Sequence, residues 1–97
     1  MKALFITVKD LKAKSIISGN TDADKLIHFI EVAQDIHIQN YLGGKLYDKM
    51  QELIIDDEMD LPANSDYKAL RDTYIKPMLI WFTQSEYFPF AMFKVDN

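Results

Sequence analysis

The stretch from Asp22 to Met50, DADKLIHFIEVAQDIHIQNYLGGKLYDKM, constrains this chain more than any other. Stepping about 100° per residue from Leu26 places Leu26, Phe29, Ile30, Ala33, Ile36, His37 and Tyr41 within an arc of roughly 140°. Glu31, Asp35, His28 and Gln39 fall on the far side, so the spacing predicts one long amphipathic helix with a core-facing stripe. Gly43-Gly44 stops it, Gly43 supplying the positive-φ residue that closes a helix. A second helix then follows at once and must fold back on the first, with Leu46, Tyr47, Met50, Leu53 and Ile54 as its buried side.

The flanking segments extend the same pattern. Leu4-Phe5-Ile6 reads as an extended lead-in, and Thr7 with Asp10 three residues on forms a capping-box pattern for a short helix. That helix turns Val8 and Leu11 inward and Lys9, Lys12 and Lys14 outward. Ile16 and Ile17 are expected to tuck into the core, with Gly19-Asn20 as a turn, and Thr21 or Asp22 caps the long helix. A last helix is predicted from Ser65 or Asp66 to about Tyr87, with Tyr67, Leu70, Tyr74 and Met78 on one face. Pro77 should kink or break it, Pro89 should stop it, and Phe90 to Val95 alternates in the manner of a strand. The expected fold is therefore a mainly all-α bundle of about four helices, one domain spanning 1–97, with an extended N-terminal lead-in and a possible C-terminal strand.

Composition narrows the function. At 48% hydrophobic and 27% charged residues the 97-residue chain is of globular type. Its net charge of -4 argues against nucleic acid as the main partner, leaving only the lysines at 9, 12 and 14 as a local basic patch. The chain has no cysteine, which excludes disulfides, thiolate zinc sites and cysteine nucleophiles. The longest apolar run, Met78 to Phe82, falls far short of the roughly 20 residues of a membrane span. Met1 to Val8 does not resemble a secretion signal, so an intracellular protein with no membrane partner is expected.

No motif for chemistry emerges. His28 and His37 point about 180° apart on the helix, and His28 with Asp24 lacks a third ligand, so no metal is expected. Counted from Asp56, the sixth and twelfth places of a calcium loop hold Leu61 and Tyr67 where glycine and glutamate are required. Gly43-Gly44 lacks the Lys-Ser/Thr of a phosphate loop. Glu31 and Asp35 lie on the most polar face, with nothing to raise a pKa. His37 beside Asn40 reads as a core or interface polar pair. The chain is thus expected not to be an enzyme and to need no cofactor.

What remains is surplus apolar surface. Ile27 and Ile38 project together on one flank of the core stripe and Val32 on the other. The segment from Pro77 to Phe82 is apolar all round, a pattern that demands cover on every side. Ile27, Val32, Ile38, Leu79, Ile80, Trp81 and Phe82 are accordingly the expected subunit interface.

Three stretches, FITVKDL, IEVAQDIHIQNYLGGKLYDKM and YKALRDTYIKPMLIWFTQSEYFPF, resemble the small helical head-tail connector proteins of tailed bacteriophages, particularly those of Bacteroidetes and crAss-like phages. The resemblance runs from about Phe5 to Phe93. Its motifs are structural: an Ala-Gln pair, a Leu-Gly helix stop followed by Leu-Tyr, and an aromatic helix with an internal proline. It implies a homo-oligomeric ring of about a dozen copies in the virion, assembled in the host cytoplasm. Such a ring docks on the portal protein, joins capsid to tail or to a second connector protein, and lines a channel through which DNA only passes. Members of that family continue past the aromatic helix into a hairpin, whereas this sequence ends at Asn97; a truncated chain, or an arm completed by another subunit, is the expectation that follows. The competing reading from the residues alone is a small helical protein-protein interaction module, an adaptor or regulator without catalysis.

Overall fold

Thr7 opens the first helix, α1 (Val8–Lys14), through the reciprocal bonds that its spacing to Asp10 predicts. The Thr7 N–H donates to Asp10 Oδ2 at 3.2 Å, and the Asp10 N–H donates to Thr7 Oγ1 at 3.0 Å. The computed structural model describes residues 3–15, 17 and 22–94, the last five by their backbone. Ile17 is buried as expected, while Ile16, Gly19-Asn20, Thr21 and Val95 lie outside the described residues.

The Thr7 N–H, helped by Lys76, holds the Asp10 carboxyl below the usual carboxylate range despite partial burial. A lowered folded pKa adds stability above the ordinary value of 3.8, and that stability is lost as pH falls through the folded value. The side chain is 38% exposed, and water screens it, so the gain is about 0.5 kcal/mol at most. Urea unfolding of Asp10→Asn beside the parent chain should show that gap at about pH 6 and a narrowing one as pH falls below the ordinary carboxylate value.

The second helix, α2, is continuous but not uniform. It consists of α-helical Ala23–Ala33, a π-helical turn Gln34–Ile38 and a last α-helical turn Gln39–Leu42. Asp22 caps it, its Oδ1 accepting from the Asp24 N–H at 2.9 Å. In the π-helical turn the Gln39 N–H reaches back five residues to the Gln34 carbonyl. Each such turn adds about one residue, so everything after it is rotated back by roughly a quarter turn.

That rotation corrects the regular helical projection. Leu26, Ile30 and Ala33, ahead of the turn, are buried as expected. Ile38, expected on the flank, swings into the core at 0% exposure, and Ile36, expected in the core, is 48% exposed. Tyr41, in the last turn, is also in solvent rather than in the core.

Gly43 ends α2 with φ +82° and ψ 157°, a region that essentially only glycine adopts. A Cβ there would meet nothing within 4 Å, so the glycine serves the backbone angle and not a close approach. The third helix, α3 (Gly44–Ile55), buries Tyr47, Met50 and Leu53 as its spacing predicts, and also Gln51. It ends on paired backbone bonds, Glu58 N–H to the Leu53 carbonyl at 2.8 Å and Asp57 N–H to the Ile54 carbonyl at 3.1 Å. This is the Schellman closure, with Asp57 at φ +56° in the place usually held by glycine.

After an acidic loop holding Asp56, Asp57, Glu58 and Asp60 and a single 3-10 turn (Pro62–Asn64), the last helix, α4, runs through Ser65–Leu70, a π-helical turn Arg71–Ile75 and Lys76–Lys94. Pro77 does not break it. The Lys76 N–H bonds to the Arg71 carbonyl five residues back, so a wider turn stands where the proline ring would otherwise press on the Thr73 carbonyl. Pro89 does not stop it either. Pro89 and Ser85 are both exposed, which leaves the Ser85 carbonyl open to water in place of its lost donor. The expected strand from Phe90 is corrected accordingly: residues 90–94 continue α4, since a short apolar run reads equally well in either period.

The fold is a small bundle of four helices, with no strand among the described residues. Helices α2 and α4 run antiparallel. Phe29 meets Tyr87 edge-to-face at 5.3 Å between centroids, and further along His37 stacks on Phe82 at 4.1 Å. The core joins Leu26, Ile30 and Ile38 of α2 to Ile75 and Leu79 of α4, closed by Met50 and Leu53 of α3 and by Phe5, Ile6 and Leu11. The molecule measures 50 × 23 × 23 Å, its length set by α4, whose roughly 30 residues rise about 45 Å.

Candidate interaction surface

The N-terminal lead-in is held by amide side chains and not by another strand. Gln34, at the start of the π-helical turn, is fully buried. Its Oε1 accepts from the Phe5 N–H at 2.9 Å, while its Nε2 donates to the Ala3 carbonyl at 2.7 Å and to the Tyr47 hydroxyl at 3.1 Å. Gln51 of α3 pairs with Ala3 in both directions, at 3.2 and 3.1 Å. The Phe5 ring meets Tyr47 edge-to-face at 5.7 Å, and the Tyr47 hydroxyl continues to Asp35 at 3.2 Å. Among the described residues no buried side-chain polar atom lacks a partner. The Ala-Gln and Leu-Tyr motifs thus meet at one point, where they fix the approach of α1 to the bundle.

His37 pairs across helices. Its Nε2 lies 3.0 Å from Glu86 Oε1 of α4, and its ring lies 9° from parallel to that of Phe82. Its expected neighbour, Asn40, instead donates to the Ile36 carbonyl at 2.8 Å. Neither ring nitrogen of His28 joins a metal-ligating group, since no three such side chains converge among the described residues. No helix there is long and apolar enough to cross a membrane.

The residues expected at a subunit interface divide. Ile27 is 36% and Trp81 66% exposed, while Val32 and Phe82 are half-buried. Ile38, Leu79 and Ile80 are corrected: all three lie in the core of the single chain and have almost no surface to offer a neighbour. Ile38 is there because of the π-helical turn. Leu79 and Ile80 face the other helices while Pro77 and Trp81 stay exposed, so a bundle this small does cover most of its all-apolar segment. Periodicity alone missed Ile36, Ile55, Leu61 and Tyr74 as exposed apolar side chains.

Beside Trp81 the surface is concave. A groove of about 570 Å³ separates α1 from α4, walled by Asp10 and Lys14 on one side and by Pro77, Ile80 and Trp81 on the other. Lys76 bridges it, with Nζ 3.8 Å from Asp10 Oδ2 and 3.8 Å from Asp72 Oδ1. The groove thus sets exposed apolar side chains, Pro77 and Trp81, beside charged rims on two helices. Compared with models of known protein families, with curated proteins and with solved structures, the chain matches none.

Proposed function

We propose that this chain is a structural subunit of a virion head-tail connector ring, which docks on the portal and joins capsid to tail around the DNA channel. The observation that carries the reading is the pair of separate apolar exposures, Ile27 and Ile36 on α2 and Tyr74 and Trp81 on α4. Head-to-tail packing joins two different patches of one subunit and closes into a ring when the rotation allows. Leaving such side chains wet costs a few kcal/mol at about 25 cal/mol per Å², which a small domain recovers by assembling. The motif resemblance supplies the kind of ring.

Native mass measurement and negative-stain imaging, at high concentration and with portal protein added, test the proposal. Rings that bind the portal are the expected result. A chain that stays monomeric and ignores the portal overturns it, and a fixed one-to-one complex with some other single partner marks a helical adaptor instead.

A further inference from the structure

We propose that the groove between α1 and α4 receives the acidic loop of a second copy of this chain, a head-to-tail contact that deepens the ring reading and rests on it. The groove offers Trp81, the most exposed large apolar side chain among the described residues at 66%, beside the exposed Pro77. Its rim carries Lys14 and Lys76 against Asp10 and Asp72. Of these four, Lys14 alone forms no ion pair among the described residues. The acids nearby are engaged within the chain: Asp10 by Thr7 and Lys76, Asp72 by Arg71 at 2.8 Å.

The loop after α3 has the complementary chemistry. Asp56, Asp57 and Glu58 are exposed, and their carboxylates form no ion pair among the described residues, whereas Asp60 pairs with Lys68 at 2.9 Å. An exposed apolar residue stands at each end, Ile55 at 45% and Leu61 at 48%. The loop is also ordered in advance, by the Schellman closure, by the buried Met59 and by the Asn64 side-chain amide donating to the Glu58 carbonyl at 2.7 Å. A segment already held in shape loses little conformational freedom on docking. An acidic projection with two apolar ends therefore fits a groove that sets the unpaired Lys14 beside the exposed Trp81. Because groove and loop are different surfaces of one subunit, the contact repeats from copy to copy.

Two full-length variants isolate the halves: Lys14→Glu with Trp81→Ala disables the groove, and Asp56→Lys with Glu58→Lys disables the loop. All four side chains are exposed, so circular dichroism and melting should match the parent chain. In sedimentation each variant alone is expected to associate at least about thirtyfold more weakly than the parent, the scale of losing a central tryptophan. Mixed in equal amounts they should form a heterodimer through the one intact groove and the one intact loop, and stop there. That heterodimer should weaken as salt rises from about 0.05 to about 0.5 M. A mixture no more associated than its parts, or variants that assemble as the parent does, overturns this contact and leaves the ring standing. A parent chain that is monomeric at every salt concentration and ignores the portal overturns both.

Discussion

Replacing Ile38 by alanine is expected to cost about 3 kcal/mol of folding stability, against less than about 0.5 kcal/mol for Ile36→Ala. Regular helical geometry predicts the reverse order, because it puts Ile36 in the core stripe and Ile38 on its flank. The π-helical turn Gln34–Ile38 inverts them, leaving Ile38 fully enclosed and Ile36 half in solvent. Truncating an enclosed isoleucine removes its transfer free energy and leaves a void that packed neighbours fill only in part. Truncating a half-exposed one removes little of either. Urea unfolding of the two variants settles the order, and equal losses would mean that α2 keeps a regular period through this segment.

Gln34→Leu is expected to cost about 2 to 3 kcal/mol although leucine is apolar and of similar size. The substitution leaves the buried Phe5 N–H without its acceptor, and a stranded buried donor costs about 1 to 3 kcal/mol. The other two partners keep a bond each: the Ala3 carbonyl retains Gln51 Nε2 at 3.1 Å, and the Tyr47 hydroxyl retains Asp35 at 3.2 Å. Gln51→Leu alone should therefore be milder, since its main-chain partners lie only partly buried. The double variant should lose more than the sum, because the Ala3 carbonyl then has no donor left. Amide exchange at Phe5 should quicken in Gln34→Leu while exchange in α4 changes little. If Gln34→Leu melts like the parent chain, the lead-in is not held by this amide.

Local signals predict the helices closely where the forces behind them are local. Thr7 and Asp10, Asp22 and Gly43 act within four residues of themselves, so their roles at helix ends could be read from spacing. The inward faces of α1 and α3 followed from period alone, each being short enough to stay in phase. Pro77 and Pro89 carry the local signal of an interruption, yet α4 passes both, one by widening the preceding turn and the other by facing water. Of the surface residues, Ile27 and Trp81 could be seen as outward, but Ile38, Leu79 and Ile80 could not be seen as covered. Nor did any sequence signal tie His37 to Glu86, 49 positions away, or gather Asp10, Lys14 and Trp81 around one groove.

Composition, caps and apolar spacing on their own determined that this chain is a bundle of four helices and set every helix end but the last, because each of those effects acts over a turn or two of backbone. Tertiary structure alone decided the phase of α2 after Gln34, the passage of α4 through its prolines and the identity of the exposed apolar side chains. An α turn and a π-helical turn differ by a single carbonyl partner. That choice goes to whichever arrangement best buries the next side chains against another helix, and the other helix is distant in sequence.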